Sequence, residues 1–210
     1  MKLLLLGATG LVGQHALKLA LASPAFSEVI APTRVALAAA DKLVNPVVVR
    51  LEEAIALLMA YPPDAVICTL GSTQAKAGSQ QAFRHVDYEL PMAYAKAARA
   101  AGVPVYALVT AMGASPDASS FYYRTKGELE RDIGQIGLPS LLICRPSLIG
   151  GQRQEHRTAE GAALVLLRWL APILPKRFHI NRADRIAAAL LDAVIAAKPG
   201  ARMIASQDMH

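Results

Sequence analysis

The feature that most constrains this chain is the stretch Gly7-Ala8-Thr9-Gly10-Leu11-Val12-Gly13, set directly between a run of four leucines and a segment with apolar residues at helical spacing. A glycine at a strand end permits a sharp turn, a second lets the backbone come close to a bound group, and a third lets the following helix lie against the strand. The unpaired N–H groups and positive end of that helix then favour an anion. The diphosphate of a dinucleotide is the anion such a turn holds, with Gly7, Thr9, Gly10, Leu11 and Gly13 as candidate contacts. The spacing departs from G-x-G-x-x-G, because the first glycine stands one place early and Ala8 occupies the pattern's second glycine. A tight turn that binds nothing is the competing reading; position at the first strand-to-helix junction decides for the dinucleotide.

The rest of the chain repeats the same rhythm of short apolar runs and longer segments of helical periodicity. Strands are predicted at Lys2–Leu6, Glu28–Ala31, Pro46–Val49, Ala65–Leu70, Pro104–Val109, Ser140–Cys144 and Arg202–Ala205. Helices are predicted at Leu11–Ala22, Glu52–Ala60, Gln80–Ala101, Ser120–Ile136, Ala159–Leu170 and Ala183–Ala197, with Ala36–Ala40 read as a loop or short helix. Most strands are apolar throughout, as strands of a parallel sheet covered on both faces must be. The predicted fold is therefore α/β: a doubly wound Rossmann sheet with helices on both faces. It forms one domain over residues 1–210, with a small C-terminal portion on the substrate side at about 147–182.

Composition narrows the partners. Hydrophobic residues make up 54% of the chain, enough to build a core and exclude global disorder. The net charge of +6 suits an anionic ligand, but the basic residues are scattered and aromatics are 5%, which argues against nucleic acid. Gly7 ends the opening leucine run too early for a signal peptide, and Arg168 and Pro172 break the longest apolar stretch, Ala162–Leu174. A cytoplasmic protein without membrane association is expected. Cys68 and Cys144 fall on strands separated by one strand, about 9–10 Å apart at ~4.8 Å per strand, too far for a disulfide. The five histidines show no ligand spacing, so no metal site is expected.

The choice of dinucleotide turns on the end of the second strand. An NAD site places Asp or Glu about 20 residues after the glycines to bond the ribose 2′-hydroxyl. Here the chain reads Ala31-Pro32-Thr33-Arg34, with no acid before Asp41. A guanidinium suits a 2′-phosphate, which points to NADP(H) rather than NAD; a solvated surface arginine is the bland alternative.

Four motifs in order, Gly7–Gly13, Cys68-Thr69-Leu70-Gly71-Ser72-Thr73, Tyr122-Tyr123-Arg124-Thr125-Lys126-Gly127-Glu128 and Arg145-Pro146-Ser147-Leu148-Ile149-Gly150, resemble the atypical short-chain dehydrogenase/reductases. Lys76-Ala77-Gly78, Phe83-Arg84 and Arg153-Gln154-Glu155 are most similar to the branch of the Tat-interacting (CC3-type) oxidoreductase and its bacterial NAD(P)-binding relatives. Tyr122 and Lys126 stand four apart and share one helix face, where a nearby ammonium should lower the phenol's pKa. The resemblance implies that Tyr122 gives a proton to a substrate carbonyl and that Lys126 also holds the nicotinamide ribose. A packed tyrosine and a solvated lysine are the competing reading, and Tyr123 should point elsewhere.

The resemblance also implies a hydroxyl at the end of the fifth strand. Thr110 occupies that place, Ser115 is the fallback, and Ala111 stands where relatives often carry a second hydroxyl. It aligns Asp87 with an asparagine of the family; a carboxylate there departs from the usual proton relay and could relay a proton or form a salt bridge with Lys126, a surface helix aspartate being the competing reading. Gly71 should admit the cofactor ribose. The backbone at Pro146 should line the nicotinamide pocket, with no chemical role for Arg145. The Arg153–Arg157 loop suits either substrate or solvent, and Ala162–Leu174 either a homodimer interface or burial within one chain.

The expected function is an NADPH-dependent oxidoreductase acting by hydride transfer on a small carbonyl/alcohol substrate. The alternative is a non-catalytic NADPH-binding sensor or protein-interaction module.

Overall fold

The computed structural model describes residues 1–150 and 180–209. Seven strands, β1 (Lys2–Leu6), β2 (Glu28–Ile30), β3 (Leu43–Val44), β4 (Ala65–Cys68), β5 (Val105–Val109), β6 (Ser140–Arg145) and β9 (Gly200–Ala205), form one sheet in the order β3-β2-β1-β4-β5-β6-β9. Every pairing in it is parallel. A separate parallel pair joins β7 (Ile149–Gly150) to β8 (Asn181–Arg182). This is the doubly wound α/β Rossmann fold expected from the sequence.

The four leucines of β1 show why its strands do not alternate in polarity. Leu3 and Leu5 enter the core beneath α1 (Leu11–Ala22), where Ala16 and Ala20 meet Ile186 and Leu190 of the last helix. Leu4 and Leu6 face the opposite way, into a second core with Tyr94, Leu129 and Ile133. Each fully buried leucine contributes about 1.5–3 kcal/mol, so both faces of the sheet are held by the same physics. The last helix (Ala183–Ile195) stops before Pro199-Gly200, as predicted.

The helix predicted over Glu52–Ala60 opens as a 3-10 turn at Leu51–Ala54 before the α-helix Ile55–Ala60, and two predicted elements differ more. The third strand lies at Leu43–Val44 rather than Pro46–Val49, because Pro46 has no N–H for the ladder and the pairing lapses to a single bridge, Thr33 with Val47. The single helix predicted over Gln80–Ala101 is divided. It comprises a first helix (Gln80–Arg84), one wide π turn at His85–Glu89 and a second helix (Leu90–Ala100). Pro91 is the cause: it cannot donate to the Asp87 carbonyl, and the Leu90 N–H reaches back to His85 instead, an i to i−5 bond. The predicted helix Ala159–Leu170, the Arg153–Arg157 loop and the Ala162–Leu174 segment lie outside the described residues.

Candidate functional site

The glycine turn sits at the carboxyl end of β1. Gly7 has φ +83°, and a Cβ there would stand 2.8 Å from Thr69 Oγ1, so neither conformation nor space admits a side chain. Thr69 holds the turn, its hydroxyl donating to Leu6 O at 2.8 Å, while Gly10 N donates to Gly7 O at 2.8 Å. A Cβ on Gly13 would lie 2.0 Å from Gly7 O, which is why helix and turn pack backbone to backbone. Gly10 caps α1 without a side-chain bond, no side chain among the described residues bonds the first-turn amides, and no acid stands in that turn. Thr9 and Gly10 are exposed and Leu11 is half-buried. An open, uncharged, backbone-lined helix start fits a diphosphate.

At the end of β2, Ala31, Pro32 and Thr33 are buried and Arg34 is exposed. Among the described residues Arg34 has neither hydrogen bond nor ion pair, and Asp41 is an exposed residue of the following loop.

The second half of the site is charged and buried. The helix Phe121–Gly134 carries Tyr122 and Lys126, and the Lys126 ammonium, 3% exposed, stands 2.8 Å from Asp87 Oδ1. Asp87 is 0% exposed and accepts from Ser72 N at 2.8 Å. The π turn carries this carboxylate into the site. Gly71 lies over the pair, its absent Cβ 3.4 Å from Asp87 Oδ1. Burial is the largest influence on Lys126 and opposes its charge, but Asp87 and Tyr122 outweigh it and hold the ammonium's pKa above the ordinary lysine value. Burial raises the Asp87 carboxyl against the pull of Lys126.

Tyr122 packs against Phe83, ring centroids 5.7 Å apart, and against the exposed Tyr123 at 5.1 Å, edge on. The lowering of the phenol's pKa expected from the sequence is corrected in its net direction. Lys126 does pull it down, but burial is larger and raises it above 10.

Thr110 lies elsewhere in the hydrogen-bond pattern. Its hydroxyl donates to Glu130 Oε1 at 2.5 Å, and Glu130, buried one turn after Lys126, receives both Nε and Nη2 of Arg145. Ser115 Oγ accepts from Asp117 N at 3.3 Å, and Ser115 N donates to Tyr123 O. Pro146 is buried, its carbonyl accepting from Met112 N at 2.7 Å. Beside it Ser147 N and Oγ donate to Asn181 Oδ1, and Asn181 Nδ2 donates to Ser206 O, so one fully buried amide of β8 joins the segments that follow β6 and β9.

Sequence reasoning missed Glu130 and Asn181. Glu130 had one signal, its place four residues after Lys126; Asn181 had none, because its partners come from distant segments. Cys68 and Cys144 are free, buried thiols on β4 and β6 as predicted, with burial pushing them to about 11 and about 12.

Residues 7–164 match the NAD(P)H-binding family. The FMP52 protein of Aspergillus clavatus is 37% identical over 205 residues, covering 93% of this chain and 88% of that protein. Its counterpart in Aspergillus fumigatus is 38% identical over 179 residues, covering 82% of this chain and 75% of that protein. Among solved structures, the Bordetella bronchiseptica enzyme WbmH in complex with NAD+ superposes with a TM-score of 0.73 at 17% identity, covering 98% of this chain and 75% of that one. A UDP-glucose 4-epimerase of Thermotoga maritima gives 0.72 at 15% identity, covering 99% and 77%. These two show the fold alone.

The relatives also correct one expectation: the FMP52 proteins are named as mitochondrial, which overturns the cytoplasmic assignment. That assignment leaned on the lack of long apolar segments. No helix among the described residues is long and apolar enough to cross a membrane, but this does not identify a compartment. The match across residues 7–164, beginning at the glycine turn itself, and the identity with the fungal proteins over most of both chains place this chain in the NAD(P)H-binding family, as a homologue of the FMP52 proteins.

Proposed function

We propose that the protein is an NADP(H)-dependent oxidoreductase of the atypical short-chain dehydrogenase/reductase type, interconverting a small carbonyl and its alcohol. The observation that carries this is the pairing of Tyr122 with Lys126 one helical turn later, the ammonium held in place by Asp87 beside Gly71. A protonated phenol is the acid that carbonyl reduction needs. Tyr122 donates its proton to the substrate oxygen, and the Lys126 charge stabilises the phenolate as it forms. In the oxidative direction the same oxygen takes the proton back. The bound nicotinamide supplies or accepts the hydride. The amides that open α1 hold its diphosphate, and Arg34 takes the 2′-phosphate.

The test is Tyr122→Phe, assayed by NADPH oxidation across a panel of small aldehydes and ketones. The expected loss in kcat is about 10²–10⁴-fold, with NADPH affinity changed by less than about twofold. Undiminished turnover in the variant overturns the assignment.

One observation favours a second reading, a non-catalytic NADPH-binding regulator. The Thr110 hydroxyl is already given to Glu130, and neighbouring Ala111 has none, so no second hydroxyl joins Tyr122 from that strand end. That reading expects NADPH binding without turnover in the wild type.

A further inference from the structure

We infer that Asn45 is a specificity-positioning residue: its amide holds the loop that presents Arg34 to the 2′-phosphate of the dinucleotide. This rests on the NADP(H) reading above and extends it to a residue outside the glycine turn and outside the β2 end. Asn45 follows β3 and precedes Pro46, where the ladder between β2 and β3 lapses. Its side chain takes over from the ladder there. Nδ2 donates to Ala31 O at 2.6 Å and to Thr33 Oγ1 at 2.8 Å, and Oδ1 accepts from Leu37 N at 2.8 Å. These three partners bracket Arg34 on both sides.

Thr33 completes the arrangement. It is 4% exposed, and its hydroxyl, having accepted from Asn45, donates to Val35 O at 2.8 Å. The residues flanking Arg34 are thereby bonded from one amide, directly or through one hydroxyl. Arg34 itself is exposed and, among the described residues, unpaired. A fixed loop under a free guanidinium is what preorganised recognition of a phosphate requires, since binding then orders only the arginine side chain. Both Nδ2 hydrogens are used, and their acceptors are fixed by the fold. An aspartate at this place would turn an oxygen toward the Ala31 carbonyl.

The experiment compares the Kd of NADPH and NADH, by titration of intrinsic or nucleotide fluorescence, in the wild type, Arg34→Ala, Asn45→Ala and Thr33→Val. The wild type is expected to prefer NADPH, and Arg34→Ala to abolish that preference. Asn45→Ala should reduce the NADPH/NADH preference by about five- to tenfold while NADH affinity stays within about twofold, the size expected for losing bonds that orient a charged contact. Thr33→Val, which keeps the shape of the side chain, should move the preference the same way by a smaller factor and serves if Asn45→Ala does not fold.

A wild type that does not discriminate, or an Arg34→Ala variant that still does, overturns the cofactor reading itself. A discriminating wild type with an unchanged ratio in Asn45→Ala and Thr33→Val overturns the role of Asn45 alone. So does a variant in which both affinities fall equally, as a merely structural contact would cause.

Discussion

The two halves of the site are built from opposite materials. The proposed diphosphate cradle at the start of α1 is backbone: glycines, open amides and a threonine hydroxyl that holds the turn. The Tyr122 half is side chain: a buried ammonium, a buried carboxylate, an aromatic wall and a second charged cluster of Glu130 and Arg145. On the proposed reading the cradle meets a ligand that brings its own charge, so it needs open donors and no counter-charge. On the proposed chemistry the Tyr122 half, the reacting half, must support a charge that appears only as a proton moves. Its cation is therefore fixed in advance and shielded from water, where its field is strong. A buried pair of this kind contributes little net stability, but loss of one member exposes the cost of the other.

That contrast predicts where each half breaks. The largest effect is expected for Lys126→Ala, which leaves Asp87 buried without its partner and should cost about 3–5 kcal/mol in chemical denaturation. Pairing Lys126→Ala with Asp87→Asn should recover more than half of that loss. If single and double variants are simply additive, the reacting half is not held by charge coupling.

Gly13→Ala comes next, with about 1–3 kcal/mol lost as the helix is forced off the Gly7 carbonyl, and nucleotide affinity reduced by more than about tenfold. Normal nucleotide titration in that variant would separate the cradle from the ligand.

The smallest effect lies at the rim of the reacting half. His85 opens the π turn, with Nδ1 2.9 Å from Glu89 and Nε2 3.0 Å from Glu52, and the Glu89 hydrogen bond and Glu52 charge raise its pKa above 6.5. A raised folded-state pKa gives stability that is fully present below the unfolded value and is lost as pH rises through the folded one. For a half-exposed pair this is a few tenths of a kcal/mol. The Tm difference between wild type and His85→Gln should therefore be visible at pH 5–6 and vanish by about pH 9. A difference that grows with pH reverses the sign of this account.

The cradle was legible because its signal is local: three glycines between an apolar run and a periodic segment. So was the sheet order, and so was the separation of Cys68 from Cys144, since both follow from the alternation of strands and helices. Less of the reacting half could be read. Tyr122 and Lys126 were visible as an i, i+4 pair and Asp87 as one possible partner for Lys126, but the π turn that carries the carboxylate inward was not, since it depends on a proline four residues beyond Asp87. Thr110 stood at the predicted strand end, yet its hydroxyl bonds a glutamate on the facing helix, which no spacing rule announces. The displacement of the third strand was readable in principle, since Pro46 cannot donate to a ladder.

The sequence by itself determined the layered α/β plan, the glycine turn that opens α1 and the helix face shared by Tyr122 and Lys126. Each of these depends on residues within a few positions of one another, where periodicity and backbone conformation act directly. Only the tertiary structure decided that burial outweighs Lys126 in setting the Tyr122 phenol, that Asp87 is the buried partner of Lys126 rather than a surface aspartate, that Thr110 serves Glu130, and that Asn45 braces the loop beneath Arg34. Desolvation and pairing belong to groups that meet across the fold, and they acquire values only when the chain has brought those groups together.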